Sequence, residues 1–145
     1  MNKKKTLSKM LKLKDGKKAE LEMEVKRAAD RADKEEQRLN SLENAFAETL
    51  SRFSQSSLHE STDVSSIHSY YDFFARINGS ISEQQKIHDE RQNELESLKN
   101  CLIDAHKDKK AFEILNERET KKQQKDQVSA EQKEADFLTL ARRLK

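Results

Sequence analysis

Apolar residues recur at alternating spacings of four and three from Leu7 to Phe53, and this period constrains the fold more than any other feature. Ten of the fourteen stepped positions are apolar: Leu7, Leu11, Lys14, Lys18, Leu21, Val25, Ala28, Ala32, Glu35, Leu39, Leu42, Phe46, Thr49 and Phe53. An average spacing of 3.5 residues is the heptad period of a coiled coil, in which a narrow apolar seam packs against another helix. We therefore predict a long first helix over about 5–54.

A second seam with the same period begins after residue 64. Again ten of fourteen positions are apolar: Ile67, Tyr70, Phe74, Ile77, Ile81, Gln84, His88, Arg91, Leu95, Leu98, Leu102, Ala105, Lys109 and Phe112. The pair Asn78-Gly79 lies inside this seam and usually indicates a turn. Because the seam keeps its register across the pair, we interpret it as helix interior, where Gly costs about 1 kcal/mol relative to Ala. The second helix is predicted over about 64–142.

The segment between the seams is rich in Ser and Thr and breaks the period, which predicts a loop over about 55–63. The chain is expected to reverse near Leu58–His59, and Thr62 or Asp63 is suited to cap the second helix. The predicted fold is all-α, a long two-helix antiparallel coiled coil or helical hairpin that forms a single domain over residues 1–145.

The two arms differ in length, so the second helix is predicted to overhang the first. A reversal near residue 58 places Leu7 opposite a residue near 110, and pairing is expected to end near Phe112 or Leu115. Residues 116–127 are all polar, and apolar residues then return between Val128 and Leu144. Because no internal partner reaches this second apolar patch, we expect another molecule to bind it.

Composition supports helices over a compact globule or a disordered chain. Hydrophobic residues make up 33% of the sequence, charged residues 39%, there is no Pro, and the net charge is +2. Disorder favours a high net charge and an aperiodic sequence, and neither is present. The charges are segregated, since residues 1–18 and 106–145 carry +7 and +3 whereas residues 19–63 and 64–105 carry −5 and −3.

Nothing in the sequence predicts catalysis, a metal site, a cofactor or a small-molecule ligand. Gly occurs only at 16 and 79, so no phosphate-binding loop is possible, and the four His lack metal-ligand spacing. The carboxylates have no predicted cleft that would raise their pKa for acid–base chemistry. A single cysteine, Cys101, fits a reducing cytoplasm, and no stretch approaches the roughly 18 apolar residues that span a bilayer.

Two clusters are candidates for partner binding. The lysines between Lys3 and Lys18 suit a protein contact, a nucleic acid or an anionic membrane, or they form a solvated helix end. Tyr70, Tyr71, Phe73 and Phe74 form the densest aromatic group. Phe73 falls outside the heptad seam, so it either widens the seam or provides a docking point near the loop.

In three segments the chain resembles the flagellar FliJ family. These are Ser69–Gln84 (SYYDFFARINGSISEQ), Lys110–Arg118 (KAFEILNER) and Glu131–Asp136 (EQKEAD) with Arg142-Arg143 after it. The length, the position of the loop and the lysine-rich start also match. The pair Asn78-Gly79 and the Ser-rich loop depart from the family pattern.

The resemblance implies a non-enzymatic flagellar export component that forms the central stalk of the type III export ATPase. Its expected partners are the ATPase hexamer, which it would activate, the export-gate membrane protein and export chaperones. The expected location is cytoplasmic, peripheral at the cytoplasmic face of the membrane at the flagellar base. Carried over by position, the gate-binding face comprises Phe73, Ile77, Ser80 and Gln84.

Contact with the ATPase ring is expected at the end of the hairpin that holds both termini, where apolar and basic residues combine. The candidate residues are Lys12, Lys18, Phe137, Leu138, Ala141, Arg142 and Leu144. Nucleic acid is not an expected partner in this interpretation. Two alternatives stay open, a homodimeric coiled-coil scaffold and a basic-tailed binder of nucleic acid or membrane surfaces. An intramolecular hairpin favours the stalk over the scaffold.

Overall fold

A computed structural model describes residues 2–57, without the side chain of Ser57, and residues 63–144. It contains two helices, α1 over Asn2–Ser57 and α2 over Val64–Arg143. They pack against each other as an antiparallel helical hairpin with no strand among the described residues, which confirms the predicted fold class. Helix α1 extends beyond the predicted 5–54 at both ends. The predicted reversal at Leu58–His59 and the candidate cap Thr62 lie outside the described residues.

The start of α2 and its Asn78-Gly79 pair have the geometry of ordinary helix. The Asp63 carbonyl accepts a hydrogen bond from the Ile67 N–H at 3.1 Å, which places Asp63 at the N-cap position. Helix α2 continues through Asn78-Gly79 without a positive φ, so the interpretation as helix interior is confirmed. A Cβ added at Gly79 would meet nothing within 4 Å, and close packing therefore does not explain this glycine.

The heptad seam is the packing surface of both helices. Every predicted seam position, from Leu7 to Phe53 and from Ile67 to Phe112, is buried or partly buried. A seam between only two helices is open at its flanks, so few side chains can be covered on all sides. Accordingly, no large side chain among the described residues is fully buried.

Contacts divide the chain into two compact units. Unit 1 combines Met1–Leu21 with Cys101–Lys145, and unit 2 is Glu22–Asn100. In unit 2, Ala28 and Ala32 are each 1% exposed and pack with Leu95 in the core. Alanine is small enough to be enclosed completely where two helices meet, and the larger leucine fills the space opposite. The prediction of a single domain over 1–145 stays a prediction.

In unit 1 the two helices stay paired further along α2 than predicted. Asn116, Glu119, Thr120 and Gln123 are partly buried, so pairing does not end at Phe112 or Leu115. The reason is that α1 begins at Asn2, and the heptad continues in α2 through polar residues whose aliphatic parts pack on the partner helix. From residue 124 to residue 144 every side chain is exposed. We call residues 124–144, the end of α2 together with Leu144 directly after it, the overhang.

Candidate partner-binding surfaces

The aromatic cluster of unit 2 is mostly a packed layer between the helices. The Phe53 ring lies 5.2 Å from Tyr70 and 6.0 Å from Tyr71 and from Phe74, measured between centroids, and Phe46 lies 5.3 Å from Phe74. Most of these pairs are edge-to-face, the geometry that aromatic quadrupoles prefer. The cluster therefore widens the seam near the end of α1 and the start of α2.

Phe73 is placed differently from the other rings. It is partly buried, and among the described residues its one ring contact is with its neighbour Phe74, at 5.9 Å. Together with Arg76, Ile77 and Ser80 it lines a surface cavity of about 250 Å³. This Phe73 cavity offers an apolar floor beside a cation, and Arg76 makes no ion pair with any described residue.

A polar layer crosses the seam of unit 2. The Gln84 amide nitrogen donates to the Glu35 carboxylate at 2.5 Å and to the Glu35 backbone carbonyl at 3.1 Å. Arg38 donates to the same carboxylate at 2.8 Å. These interactions, the Gln84 hydrogen bond first, lower the pKa of Glu35 below its usual value. Gln84 is therefore engaged within the hairpin.

Ion pairs in unit 1 compensate the lysines that occupy seam positions. Lys14 Nζ lies 2.6 Å from Asp108 Oδ2 and 5.4 Å from the centre of the Phe112 ring. Lys109 Nζ lies 2.6 Å from Asp15 Oδ1, and this hydrogen bond and charge lower the pKa of Asp15. The long aliphatic stems fill the seam while the ammonium groups reach its edge. The lysines in the seam are thus structural.

The overhang carries a group of strongly exposed apolar side chains in unit 1. Phe137 is 69% exposed, Leu140 58% and Leu144 88%, and Leu138 and Ala141 are also exposed. On a helix, positions 137, 140, 141 and 144 share one face, with Leu138 beside it. We call these five residues the overhang stripe. Nothing among the described residues covers it.

Other kinds of site find no support in the described part of the chain. Over residues 2–57 and 63–144, no three His, Cys, Asp or Glu side chains are arranged to hold a metal ion. Within the same residues, neither helix has a window apolar enough to cross a membrane. The Phe73 cavity and the overhang stripe are thus the surfaces that suggest partners.

Comparison with known protein families identifies the family of this chain. A family profile described as "Flagellar FliJ protein" matches residues 3–142, nearly the whole chain. The chain belongs to the FliJ family. The resemblance found in the three sequence segments is thereby confirmed. FliJ is a family of non-enzymatic flagellar export components, so this member is a flagellar, export-related protein. Searches of curated proteins and of solved structures gave no significant match.

The residues expected to contact the gate in this FliJ-family chain do not all face outward. Phe73, Ile77 and Ser80 line the same cavity, and Ser80 is exposed. Ile77 is only 7% exposed, so it forms the floor of the cavity and part of the core. Gln84 bonds to Glu35 and is not in the cavity lining. Both Ile77 and Gln84 occupy heptad seam positions, so the sequence already indicated that these two side chains face the partner helix.

The expected ring-binding residues of this FliJ-family chain fall into two groups. Phe137, Leu138, Ala141, Arg142 and Leu144 are all exposed on the overhang. Lys12 is exposed on α1, whereas Lys18 is a partly buried seam residue. Arg76, which lines the Phe73 cavity, was not among the residues predicted from the sequence. Its position three residues after Phe73 could have indicated it, because residues at i and i+3 share a helix face.

Proposed function

We propose that this FliJ-family protein is the stalk of the flagellar type III export machinery, which binds and activates the export ATPase hexamer. The observation that carries the proposal is the overhang stripe, an apolar helix face without an internal partner. An exposed apolar face of this kind marks a binding site. Family membership supports the export ATPase as the partner.

The distribution of charge along the sequence also favours unit 1 as the site of the ring contact. Unit 1 has nineteen basic and eleven acidic residues, a net charge of +8, whereas unit 2 has ten and sixteen, a net charge of −6. A positive surface steers an acidic partner and raises its association rate. We therefore expect a ring opening with an apolar lining and acidic surroundings, and stimulation that weakens as salt is raised.

The second part of the proposal is that the Phe73 cavity binds the export-gate membrane protein. The cavity combines the partly buried ring of Phe73, a buried apolar floor and the cation of Arg76. An aromatic residue beside a cavity is a common anchor of protein interfaces. We expect the gate protein to insert an apolar side chain into this cavity and to place one of its own carboxylates beside Arg76. Export chaperones are further proposed partners, without an assigned surface, and the proposed location is the cytoplasmic face of the membrane at the flagellar base.

Stimulation of the cognate flagellar export ATPase tests the ring contact. Purified protein should raise the rate of ATP hydrolysis, and the double variant Phe137→Ala with Leu144→Ala should lose at least about tenfold of its apparent affinity for the ring, because two apolar anchors are removed. Val128→Ala is the matched control, since Val128 is 64% exposed on the overhang but lies outside the stripe. Equal stimulation by the double variant and by the wild-type protein would refute the ring contact.

A further inference from the structure

The overhang stripe continues the heptad seam of α2. Stepping on from Phe112 with the same spacings reaches Asn116, Glu119 and Gln123, which are partly buried against α1. The next steps reach Asp126, Ala130, Lys133, Phe137, Leu140 and Leu144, all of them exposed. The overhang therefore has the face of a coiled-coil helix in the register of the hairpin, but α1 does not reach it.

The charges that flank this face are complementary to a second copy in the antiparallel direction. Asp136 and Arg143 each directly precede a seam residue, Phe137 and Leu144 respectively. In an antiparallel pair of two overhangs, with Phe137 packed on Leu140 of the other copy, Asp136 of each copy faces Arg143 of the other. The same contact occurs twice because the pairing is symmetric.

The hairpin itself supplies the geometry for this contact. Arg31 and Glu94 also directly precede seam residues, and they pair across the antiparallel helices of unit 2 at 3.1 Å. Asp136 accepts a hydrogen bond only from Gln132, at 3.3 Å, and neither Asp136 nor Arg143 has an ion pair among the described residues. Both charges are thus available to a second copy.

We propose that the overhang is a self-association site, in which two copies of this chain pair antiparallel through Phe137, Leu140 and Leu144. Reciprocal ion pairs between Asp136 and Arg143 fix the direction. The contact spans few helical turns, so its area falls below the roughly 1,000 Å² of stable interfaces and the dimer is weak and reversible. It covers the overhang stripe, so self-association and binding of any other partner there exclude each other. This inference does not rest on the proposed function.

Sedimentation equilibrium of the full chain from about 10 µM to about 1 mM tests it, because a weak dimer forms only at high concentration. The apparent mass should rise from 16.9 kDa toward twice that value. Phe137→Glu should keep the protein monomeric, since it places two carboxylates in the apolar centre. Circular dichroism should be unchanged, because Phe137 is exposed in the single chain.

A charge exchange tests the direction of pairing. Asp136→Arg and Arg143→Asp should each weaken self-association at least about tenfold, because each places like charges opposite one another. An equimolar mixture of the two variants should associate again, since every facing pair is then opposite in charge. Arg142→Asp is the matched control and should associate like the wild-type protein, because position 142 points away from the seam.

Three results would overturn the proposal. The first is a wild-type protein that stays monomeric up to about 1 mM, where the apparent mass should have risen toward twice 16.9 kDa. The second is association that survives Phe137→Glu, because the contact would then lie elsewhere. The third is a mixture of Asp136→Arg and Arg143→Asp proteins that stays monomeric, because antiparallel pairing requires it to associate.

Discussion

His88 occupies a seam position of α2 without a hydrogen bond to either ring nitrogen among the described residues. Its side chain is 17% exposed, and the nearest carboxylate, Asp89 Oδ1, is 3.6 Å from Nδ1, beyond hydrogen-bond distance. A polar group buried without a partner lowers stability, whereas an apolar residue in the same seam position raises it.

We therefore predict that His88→Leu raises the free energy of unfolding by about 1 kcal/mol. Chemical denaturation followed by circular dichroism measures the change. His106→Leu is the control and should have little effect, because His106 is exposed. A loss of stability in His88→Leu would mean that the imidazole has a stabilising partner, such as a bound water.

Glu35 makes the stability of unit 2 depend on pH. Its pKa is lowered in the folded state by the hydrogen bond from Gln84 and by Arg38 and Arg91, so its contribution is present at neutral pH. That contribution is lost as the pH falls from about 5 through the lowered pKa. Glu35→Gln should flatten the fall in melting temperature between about pH 5 and about pH 3.

Comparison with Glu36→Gln isolates this effect, because Glu36 is an exposed neighbour with no bond to Gln84. Thermal melts of the three proteins across the acid range provide the measurement. If the Glu35→Gln and wild-type proteins lose stability in parallel, the acid sensitivity comes from other carboxylates, of which Asp15 is the next candidate because its pKa is also lowered.

Phe73 is expected to matter more for binding than for folding. Because it is partly buried and pairs with no ring but Phe74 among the described residues, Phe73→Ala should cost about 1 kcal/mol of stability. Leu95→Ala should cost about 2–5 kcal/mol, since Leu95 is buried in the core. Binding of the export-gate cytoplasmic domain, measured by calorimetry, should weaken at least about tenfold in Phe73→Ala. A stability loss as large as that of Leu95→Ala would assign Phe73 to the core.

At the scale of the elements, α2 serves two purposes along its length. Up to Gln123 it packs on α1, and beyond that residue every described side chain is exposed. Hydrogen bonds between side chains four residues apart support the overhang, such as that of Gln127 with Glu131 at 3.4 Å. A helix without a packing partner is only marginally stable, so the overhang should fray first.

Deleting residues 134–145 should therefore leave the paired helices intact. The melting temperature of the remaining chain should fall by less than about 2 °C, because no described contact of the paired region is removed. Stimulation of the export ATPase should be lost at the same time, as the overhang stripe is gone. Undiminished stimulation by the truncated protein would move the ring contact to α1.

At the scale of the whole molecule, the hairpin predicts that the two helices of one chain pair with each other at low concentration. Spin labels at Lys26 and Lys99, in a chain with Cys101→Ser, lie on opposite helices of unit 2. Their separation should be short, whereas one continuous helix would place them about 110 Å apart at 1.5 Å per residue. Dilution with unlabelled protein should leave the short distance unchanged, whereas loss of the signal would indicate pairing between chains.

The sequence by itself determined the helices, the heptad seam and the family. A period of 3.5 residues is a local property of each helix and can be read without knowledge of the partner helix. It therefore placed the seam positions correctly, from Leu7 to Phe53 and from Ile67 to Phe112. It also indicated that Asn78-Gly79 continues the helix. The order of the three resembling segments indicated the FliJ family before any fold was known.

Only the tertiary structure decided which polar seam residues find partners and where pairing ends. A heptad pattern looks the same after a shift of seven residues, so it cannot fix the register between two helices. That register follows from cross-helix contacts such as Gln84 with Glu35 and Lys109 with Asp15. In this register the two helices stay paired as far as Gln123, and the side chain of Gln84 faces α1. The Phe73 cavity and the overhang stripe are then the surfaces open to partners.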